Sequence, residues 1–360
     1  MYMMQRIWNA LASRWFKTAG LLLLTLATAA SFMGALALFR PADNEVDIKL
    51  IDMEMRKQIR EFASVAKTGL YIKNFELFDI TADHFIAGLV VWFEFLTDQV
   101  MPETIKNFSF LNGKILDQSV GSVNIHGQIM RITYDVRVEF KSQLNYYRYP
   151  FDDHRISLVL TNTNISPSEL YFTVDNSTFT VASDLYTNNW EILELDTAWG
   201  YRNLMLDSRT PDSPAQRPVV AYSINFAKSS MRHVVIIFVP LFISLLFGFL
   251  TFIMGIENTF DRQRMSLAAL TALLSYRFII DRMMPMVGYL TTTDQLYILY
   301  LLLLMIIFLL QMILSLYTVK GANGATIEAG YMTVVERAHD LIFIACVGVC
   351  IGYSAYVLVW

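Results

Sequence analysis

Long apolar segments constrain this chain more than any other feature of its sequence. About 20 apolar residues are needed to cross a bilayer as a helix, and residues 19–39, 234–254, 296–316 and 341–359 meet that requirement. A fifth segment, residues 265–281, has helical periodicity but is interrupted by polar side chains. Since 55% of the 360 residues are hydrophobic, the composition also predicts a membrane protein.

The first apolar segment sets the expected orientation. Residues 1–18 contain Arg6, Arg14 and Lys17 and no acidic residue, so the positive-inside rule places the N-terminus in the cytoplasm. The polar region that follows, and the C-terminus, are then expected outside. Small residues at 27–29 offer a cleavage site for a signal peptide, but the segment is also long enough to remain as an anchor. Either alternative exports the polar region.

The polar region is predicted to be all-β. Alternation with a period of two recurs along it, and turn sequences such as Asn112-Gly113 separate the alternating runs. Many short strands without helical patterns predict an antiparallel sandwich of the immunoglobulin-like type. Residues 46–65, in contrast, have spaced apolar residues and mixed charge, which predicts an amphipathic helical segment over 41–66. The predicted strands cover residues 69–78, 85–95, 129–140, 155–160, 190–195 and 218–226.

Composition and spacing exclude several classes of function. A net charge of −4 provides no basic face for nucleic acid. The two cysteines, Cys346 and Cys350, lie within one apolar segment, so no disulfide is expected in the polar region. No phosphate-binding glycine loop, metal-spaced His/Cys cluster or nucleophile elbow occurs, so an enzyme, a metal site and a cofactor are not expected.

Three motifs occur in a defined order. Residues 149–152 are Tyr-Pro-Phe-Asp between two predicted strands, Pro240 lies inside an apolar segment, and residues 285–289 are Pro-Met-Val-Gly-Tyr with Asp294 following. With these motifs and this order of domains, the chain resembles the pentameric ligand-gated ion channels. Residues 67–95 are similar to the first two strands of that family. The chain resembles the prokaryotic type of this Cys-loop receptor superfamily, because the cysteine pair of eukaryotic members is absent.

The resemblance implies the following architecture and function. A ligand-binding β-sandwich over 67–231 is followed by a four-helix transmembrane pore domain, and the N-terminal region 1–40 adds a hydrophobic helix. A homopentamer in the lipid of the bacterial inner membrane would conduct ions when a small molecule or an ion binds outside. The alternative is a non-conducting membrane receptor, although the cytoplasmic loops are short for an output domain. The four pore-domain helices are expected over 232–255, 262–282, 294–319 and 340–360.

The fifth segment is expected to line the pore. Small or polar residues recur on it at helical steps, which keeps them on one face, whereas bulk such as Leu273 and Leu274 is expected on the opposite side. Packing against neighbouring helices is the alternative, but Arg264 requires water or a counter-charge. Arg277 and Asp281 are expected to pair with each other. The predicted lining set is Arg264, Ala268, Thr271 and Ser275, with Asp261 and Phe278 beyond its two ends.

The gate and the charge selectivity have two alternatives each. The family register places Thr271 at the gate, where most members carry a large apolar residue, and a slip of two residues would place Leu273 there. Asp261 matches the acid of cation-selective relatives, whereas rings of Arg264 and Arg282 would favour anions. Asp261 could offset Arg264 by pairing with it, or Arg264 could extend to the interface and never meet the ion.

The resemblance also assigns coupling residues and weak ligand candidates. In the family, the loop aspartate pairs with a base before the first pore helix, and Lys228 and Arg232 are the alternatives here. In the family, a hairpin carries ligand-binding aromatic residues, but the corresponding residues 207–218 contain none. Three nearby aromatic residues are therefore the candidates. The alternative is that these residues pack in the core. These candidates are Phe179, Tyr186 and Trp190. The coupling set is Asp79, Tyr149, Pro150, Phe151, Asp152, Lys228, Arg232, Pro240, Pro285 and Tyr289.

Overall fold

The chain forms two compact units in a computed structural model. The β unit comprises residues 40–145 and 152–230, and the helical unit comprises residues 1–39, 146–151 and 231–360. One short loop from the middle of the chain therefore belongs to the helices. The structure describes residues 13–37, 48–50, 63–80, 82–142, 144–162, 164–187, 190–204, 215–228, 232–255, 258–322 and 329–359.

The β unit contains every strand that the alternation predicted. Short strands that the sequence did not predict complete the sheets, together with a short helix, α2 (Pro102–Lys106), and one 3₁₀ turn (Asn176–Thr178). The strands are β1 (Lys49–Leu50), β2 (Ser64–Asp79), β3 (His84–Leu96), β4 (Phe108–Phe110), β5 (Gly113–Gln118), β6 (Ser122–His126), β7 (Ile129–Lys141), β8 (His154–Asn162), β9 (Leu170–Thr173), β10 (Phe179–Val181), β11 (Trp190–Leu204) and β12 (Ala215–Lys228).

These strands form two mostly antiparallel sheets. The order in one sheet is β1-β11-β12-β8-β4, and the order in the other is β10-β2-β3-β7-β5. In the second sheet β9 also pairs with β2, and β6 also pairs with β7. Only the pairs of β2 with β9 and with β10 are parallel among the described pairings. The unit is thus β-sandwich-like, as the sequence predicted.

Side chains from both sheets meet in the core of the β unit. Alternate residues of β3, from Phe85 to Phe95, are buried, because successive side chains of a strand point to opposite faces. The Phe78 and Phe226 rings lie 5.2 Å apart and join β2 to β12. The hydroxyls of Thr68 and Tyr222 form a 2.6 Å hydrogen bond between the same two strands. Burial raises the pKa of Tyr222 despite that bond, so its hydroxyl stays protonated.

The amphipathic helix predicted over 46–65 is wrong at both ends of that range. Lys49–Leu50 pairs with β11 as β1, and Ser64 begins β2. Gly200 permits this pairing, because a Cβ atom there would lie 2.2 Å from the Lys49 carbonyl oxygen. The short alternation around Lys49 suits a strand as well as a helix, and the available edge of β11 decides between them. Residues 51–62 lie outside the described part of the chain.

The helical unit contains five long helices in the described residues. Four of them include segments that are long and apolar enough to cross a membrane, which is consistent with a membrane protein. The exception is α4, because charged side chains occur near both of its ends. Cys346 and Cys350 are free and buried in α6. The helices are α1 (Arg14–Ala37), α3 (Arg232–Leu250), α4 (Thr259–Met283), α5 (Thr292–Ala322) and α6 (Ala329–Val359).

Two of these helices begin with side-chain caps. The Phe16 N–H donates to Ser13 Oγ at 3.2 Å, which satisfies one of the free amides at the start of α1. At the start of α5, the Thr291 N–H donates to Asp294 Oδ2 at 3.0 Å, and the Asp294 N–H donates back to Thr291 Oγ1 at 3.3 Å. This reciprocal arrangement is a capping box and fixes where α5 begins.

Candidate functional site

The two sides of α4 differ in burial. One side packs inside the helical unit and includes Arg262, Ser266, Ala269 and Leu273. The other side is left uncovered by the chain. All six predicted lining residues lie on it and are exposed: Asp261, Arg264, Ala268, Thr271, Ser275 and Phe278. The spacing argument therefore selected residues on one side of the helix, and that exposed side also carries apolar residues such as Leu267 and Ile279.

The two residues proposed for the gate differ in burial. Leu273 is fully buried, whereas Thr271 lies on the exposed side. The Thr271 hydroxyl donates to the Leu267 carbonyl at 2.8 Å, so its hydrogen-bonding requirement is met within the helix. The expectation that Leu274 lies on the opposite side is wrong, since it is 47% exposed. Its position three residues after Thr271 places it on the same side of the helix.

The charged residues at the two ends of α4 have different surroundings. Asp261 and Arg264 are exposed and, within the described residues, form no ion pair with each other. Arg277 forms the predicted pair with Asp281, with Nε and Oδ1 2.8 Å apart. Its Nη1 also lies 2.7 Å from Asp294 Oδ1, which ties the end of α4 to the capping box of α5.

Pro240 leaves a backbone carbonyl of α3 without its helical partner, because proline has no N–H to donate to the residue four positions earlier. That residue is Ile236, and the Tyr276 hydroxyl of α4 donates to its carbonyl oxygen. Membrane helices tolerate proline where a neighbouring group satisfies the freed carbonyl in this way. The sequence analysis selected Pro240 as part of the family resemblance but contained no signal for Tyr276.

The loop of residues 146–151 is hydrogen-bonded to the linker between α4 and α5. The Tyr146 N–H donates to the Tyr289 hydroxyl at 2.8 Å. The Tyr149 hydroxyl donates to the Met283 carbonyl at 2.7 Å. Two predicted coupling residues, Tyr149 and Tyr289, are thus brought to one surface. The peptide bond between Tyr149 and Pro150 is cis.

Two threonines at the start of α5 complete this attachment. Thr292 donates its N–H and its hydroxyl to the Tyr147 carbonyl, at 2.8 and 3.1 Å. Thr293 donates the same two groups to the Tyr149 carbonyl, at 3.3 and 2.9 Å. The first amides of a helix have no partner within it, so they are available to accept an incoming loop. The sequence analysis did not select these threonines, although their place after the capping residue was a usable signal.

Phe151 extends the attachment to α3. Its ring stacks on that of Phe238, with centroids 5.3 Å apart and ring planes 12° apart. Phe32 of α1 stacks on the same two rings, with its centroid 4.7 Å from Phe238 and 5.8 Å from Phe151. We call these three residues the phenylalanine stack. Neither Phe32 nor Phe238 was predicted from the sequence.

Asp152 lies in the β unit, where a histidine that the sequence analysis missed is its neighbour. Its Oδ2 lies 2.9 Å from His154 Nε2, and both side chains are buried. The ring of Trp190 packs 5.1 Å from that of His154. The side chain of Lys228 is outside the described residues and Arg232 belongs to the helical unit, so the pairing of Asp152 with either base stays a prediction.

The remaining predicted residues are spread through the β unit. Phe179 is 2% exposed and packs on Tyr222, as the core alternative predicted. Tyr186 is 75% exposed. Asp79 ends β2, and its Oδ1 accepts the Ala82 N–H at 3.1 Å, which shapes the turn into β3. The aromatic candidates therefore lie in different surroundings, and residues 207–214 of the hairpin lie outside the description.

No protein-family model matches the sequence, and a search of the curated proteins finds no significantly similar one. In the described part of the chain, no group of three or more His, Cys, Asp or Glu side chains is placed to hold a metal ion. The functional assignment therefore depends on α4 and on the loop attached beside it.

Proposed function

We propose that this chain is the subunit of a ligand-gated ion channel, a homopentamer in a bacterial inner membrane. The observation that carries the proposal is the exposed side of α4, where Asp261, Arg264, Thr271 and Ser275 lie beside apolar residues, among helices apolar enough to span a membrane. Polar and ionisable side chains within a membrane normally face protein or water, because hydrocarbon offers them no partner. Other copies of the chain, and water between them, would satisfy this side.

A single helix cannot enclose water, so a symmetric ring of subunits is required. In such a ring the exposed residues of α4 would surround the axis, with Thr271 rather than Leu273 at the narrow position. Arg264 would contribute one positive charge per subunit. Asp261 lies on the same side, so we infer an anion preference for an arrangement in which Arg264 faces the pore and Asp261 does not, because a ring of positive charge at a pore mouth favours anions.

The attached loop supports gating from outside the membrane. Residues 146–151 bond to the α4–α5 linker through Tyr149 and stack on α3 through Phe151. The chain enters and leaves this loop from the β unit. A small molecule or ion that changes the β unit would therefore act on the ends of α3, α4 and α5.

The test combines subunit counting with conduction. The purified protein is sized by native mass spectrometry and reconstituted in planar bilayers for reversal potentials in a salt gradient. We expect a pentamer, an anion preference in the wild type, and a shift towards cations in Arg264→Gln. Lys114→Gln removes an exposed charge from the β unit and should cause no shift. A monomer or dimer contradicts the assembly, and an unshifted Arg264→Gln contradicts the lining.

A further inference from the structure

The N-terminal helix α1 is integrated into the helical unit near both of its ends. Lys17, in its first turn, belongs to a buried group of charged side chains. Phe32, 15 positions further on, belongs to the phenylalanine stack. At 1.5 Å per residue these positions are about 22 Å apart, which is most of the thickness of a hydrocarbon core.

The first attachment is a chain of four buried polar side chains, which we call the charged cluster. Lys17 Nζ lies 2.6 Å from Asp340 Oδ1, and His339 Nδ1 lies 3.6 Å from the same oxygen. His339 Nε2 accepts a hydrogen bond from Arg262 Nη2. The cluster therefore connects α1, α6 and the buried side of α4. Its members are Lys17, Arg262, His339 and Asp340.

Packing between these ends holds α1 against α6. A Cβ atom on Gly20 would lie 3.3 Å from the Phe343 ring, so the two helices approach closely there. At the far end, Phe32 touches both the loop ring Phe151 and the α3 ring Phe238. The helix thus contacts the same loop that bonds to the α4–α5 linker.

Cleavage at residues 27–29 would remove Lys17, together with most of the helix that packs against α6 beside Asp340. Asp340 would then lose the lysine 2.6 Å from it, and losing one partner of a buried ion pair is strongly destabilising. A signal peptide that is removed from the mature protein is not expected to supply one side of a buried ion pair. The buried pair therefore favours the anchor alternative.

We propose that α1 remains in the mature subunit as a fifth membrane helix, held by Lys17 and Asp340, and that Phe32 positions Phe151. The retention of α1 does not depend on the proposed channel function, only on the assignment of the chain to a membrane and on the buried pair. The positioning role matters for gating and so rests on the proposed function, but its readout below does not require conduction.

Retention is tested first by the intact mass of protein purified through a C-terminal tag. A mass that includes residues 1–29 is expected, and a mass that lacks them overturns the proposal. Lys17→Asp, Asp340→Lys and the double exchange are then compared for yield of folded oligomer and melting temperature in detergent. Each single variant should lose most of the folded yield, and the exchange should recover much of it.

Arg14→Asp is the matched control, because it removes the same charge from the same flank and its side chain is exposed. Any change in membrane orientation caused by the lost charge would appear in this control as well. A Lys17→Asp variant that behaves like Arg14→Asp, or an exchange no better than the sum of the single variants, overturns the pairing.

The positioning role is tested by hydrogen exchange at the amides of residues 146–151. Phe32→Ala should raise exchange there several-fold, Phe32→Tyr should retain protection, and the exposed neighbour Met33→Ala should leave it unchanged. Equal exchange in wild type and Phe32→Ala overturns the role of Phe32. Failure of ion conduction with these results intact would contradict only the proposed function.

Discussion

The two ends of the helical unit are held together by different chemistry. One end contains the charged cluster, in which buried ionic side chains from α1, α4 and α6 depend on one another. The other end contains the loop of residues 146–151, held by hydrogen bonds that mostly end on backbone carbonyls and by three stacked rings. The first end depends on a few buried charged side chains, whereas at the second end many separate contacts hold the loop.

This difference predicts how each end responds to mutation. Loss of one partner in a buried ion pair leaves a charge in a low-dielectric environment, which costs several kcal/mol. A neutral hydrogen bond contributes only about 1 kcal/mol net, because water would replace it on unfolding. Loss of Lys17 or Asp340 should therefore destabilise the charged end strongly, whereas loss of one loop contact should weaken the loop end only slightly.

The largest effect is expected from Asp340→Ala. It leaves Lys17 buried without its carboxylate, and we expect a loss of about 3–5 kcal/mol in the free energy of unfolding. Unfolding by SDS titration in mixed micelles measures this change. Asp281→Ala is the control, since that carboxylate is half exposed in its pair with Arg277. Equal losses in the two variants would contradict the special position of the charged end.

A smaller loss is expected from Tyr276→Phe, which leaves the Ile236 carbonyl without a donor. An unsatisfied buried polar group costs about 1–3 kcal/mol. In a Pro240→Ala background the alanine N–H can donate to that carbonyl, so the same substitution should cost much less. A double-mutant cycle in the same micelles measures the coupling, and additive effects would show that the tyrosine serves another purpose.

Tyr149→Phe removes one hydrogen bond from the loop end, to the Met283 carbonyl, and retains the ring. We expect a loss of about 1 kcal/mol, because the threonine bonds to the loop backbone persist. If the chain is the proposed channel, its ligand response in bilayer recordings should shift while single-channel conductance is unchanged. A conductance change with an unshifted response would place Tyr149 in the ion pathway instead of the attachment.

The smallest effect is expected from Arg262→Met, at the charged end. Arg262 is fully buried, and its Nε and Nη1 have no hydrogen-bond partner among the residues that the structure describes. Replacing a poorly satisfied buried charge by an apolar side chain of similar length is often close to neutral. We expect a change below about 1 kcal/mol by SDS titration. A loss as large as that of Asp340→Ala would show that the cluster acts as one indivisible unit.

The sequence predicted features that depend on local periodicity. The alternation in β3 spans many periods, and the spacing from Arg264 to Ser275 selected the exposed side of α4. Strands as short as β4 and β10 contain too few periods to give a signal. Lys49–Leu50 was assigned to a helix because its partner, β11, lies far along the chain.

Partners distant in the sequence were the main omission in the candidate site. Tyr276 and Phe32 are ordinary residues in their own segments, and they acquire a role only through what folding brings beside them. Pro240 alone predicts that the carbonyl four residues before it needs a donor from outside the helix. Nothing in the sequence indicated which neighbouring helix would supply that donor.

The assignment of residues 146–151 to the helical unit bears on the construction of chimaeras. A cut at residue 231 would divide the helices from the β unit along the chain but would separate Thr292 and Thr293 from the carbonyls that they bond. A β domain grafted from another protein would then present a foreign loop to the α4–α5 linker. We expect a chimaera to fold only when residues 146–151 and Phe32 come from the same protein as the helices.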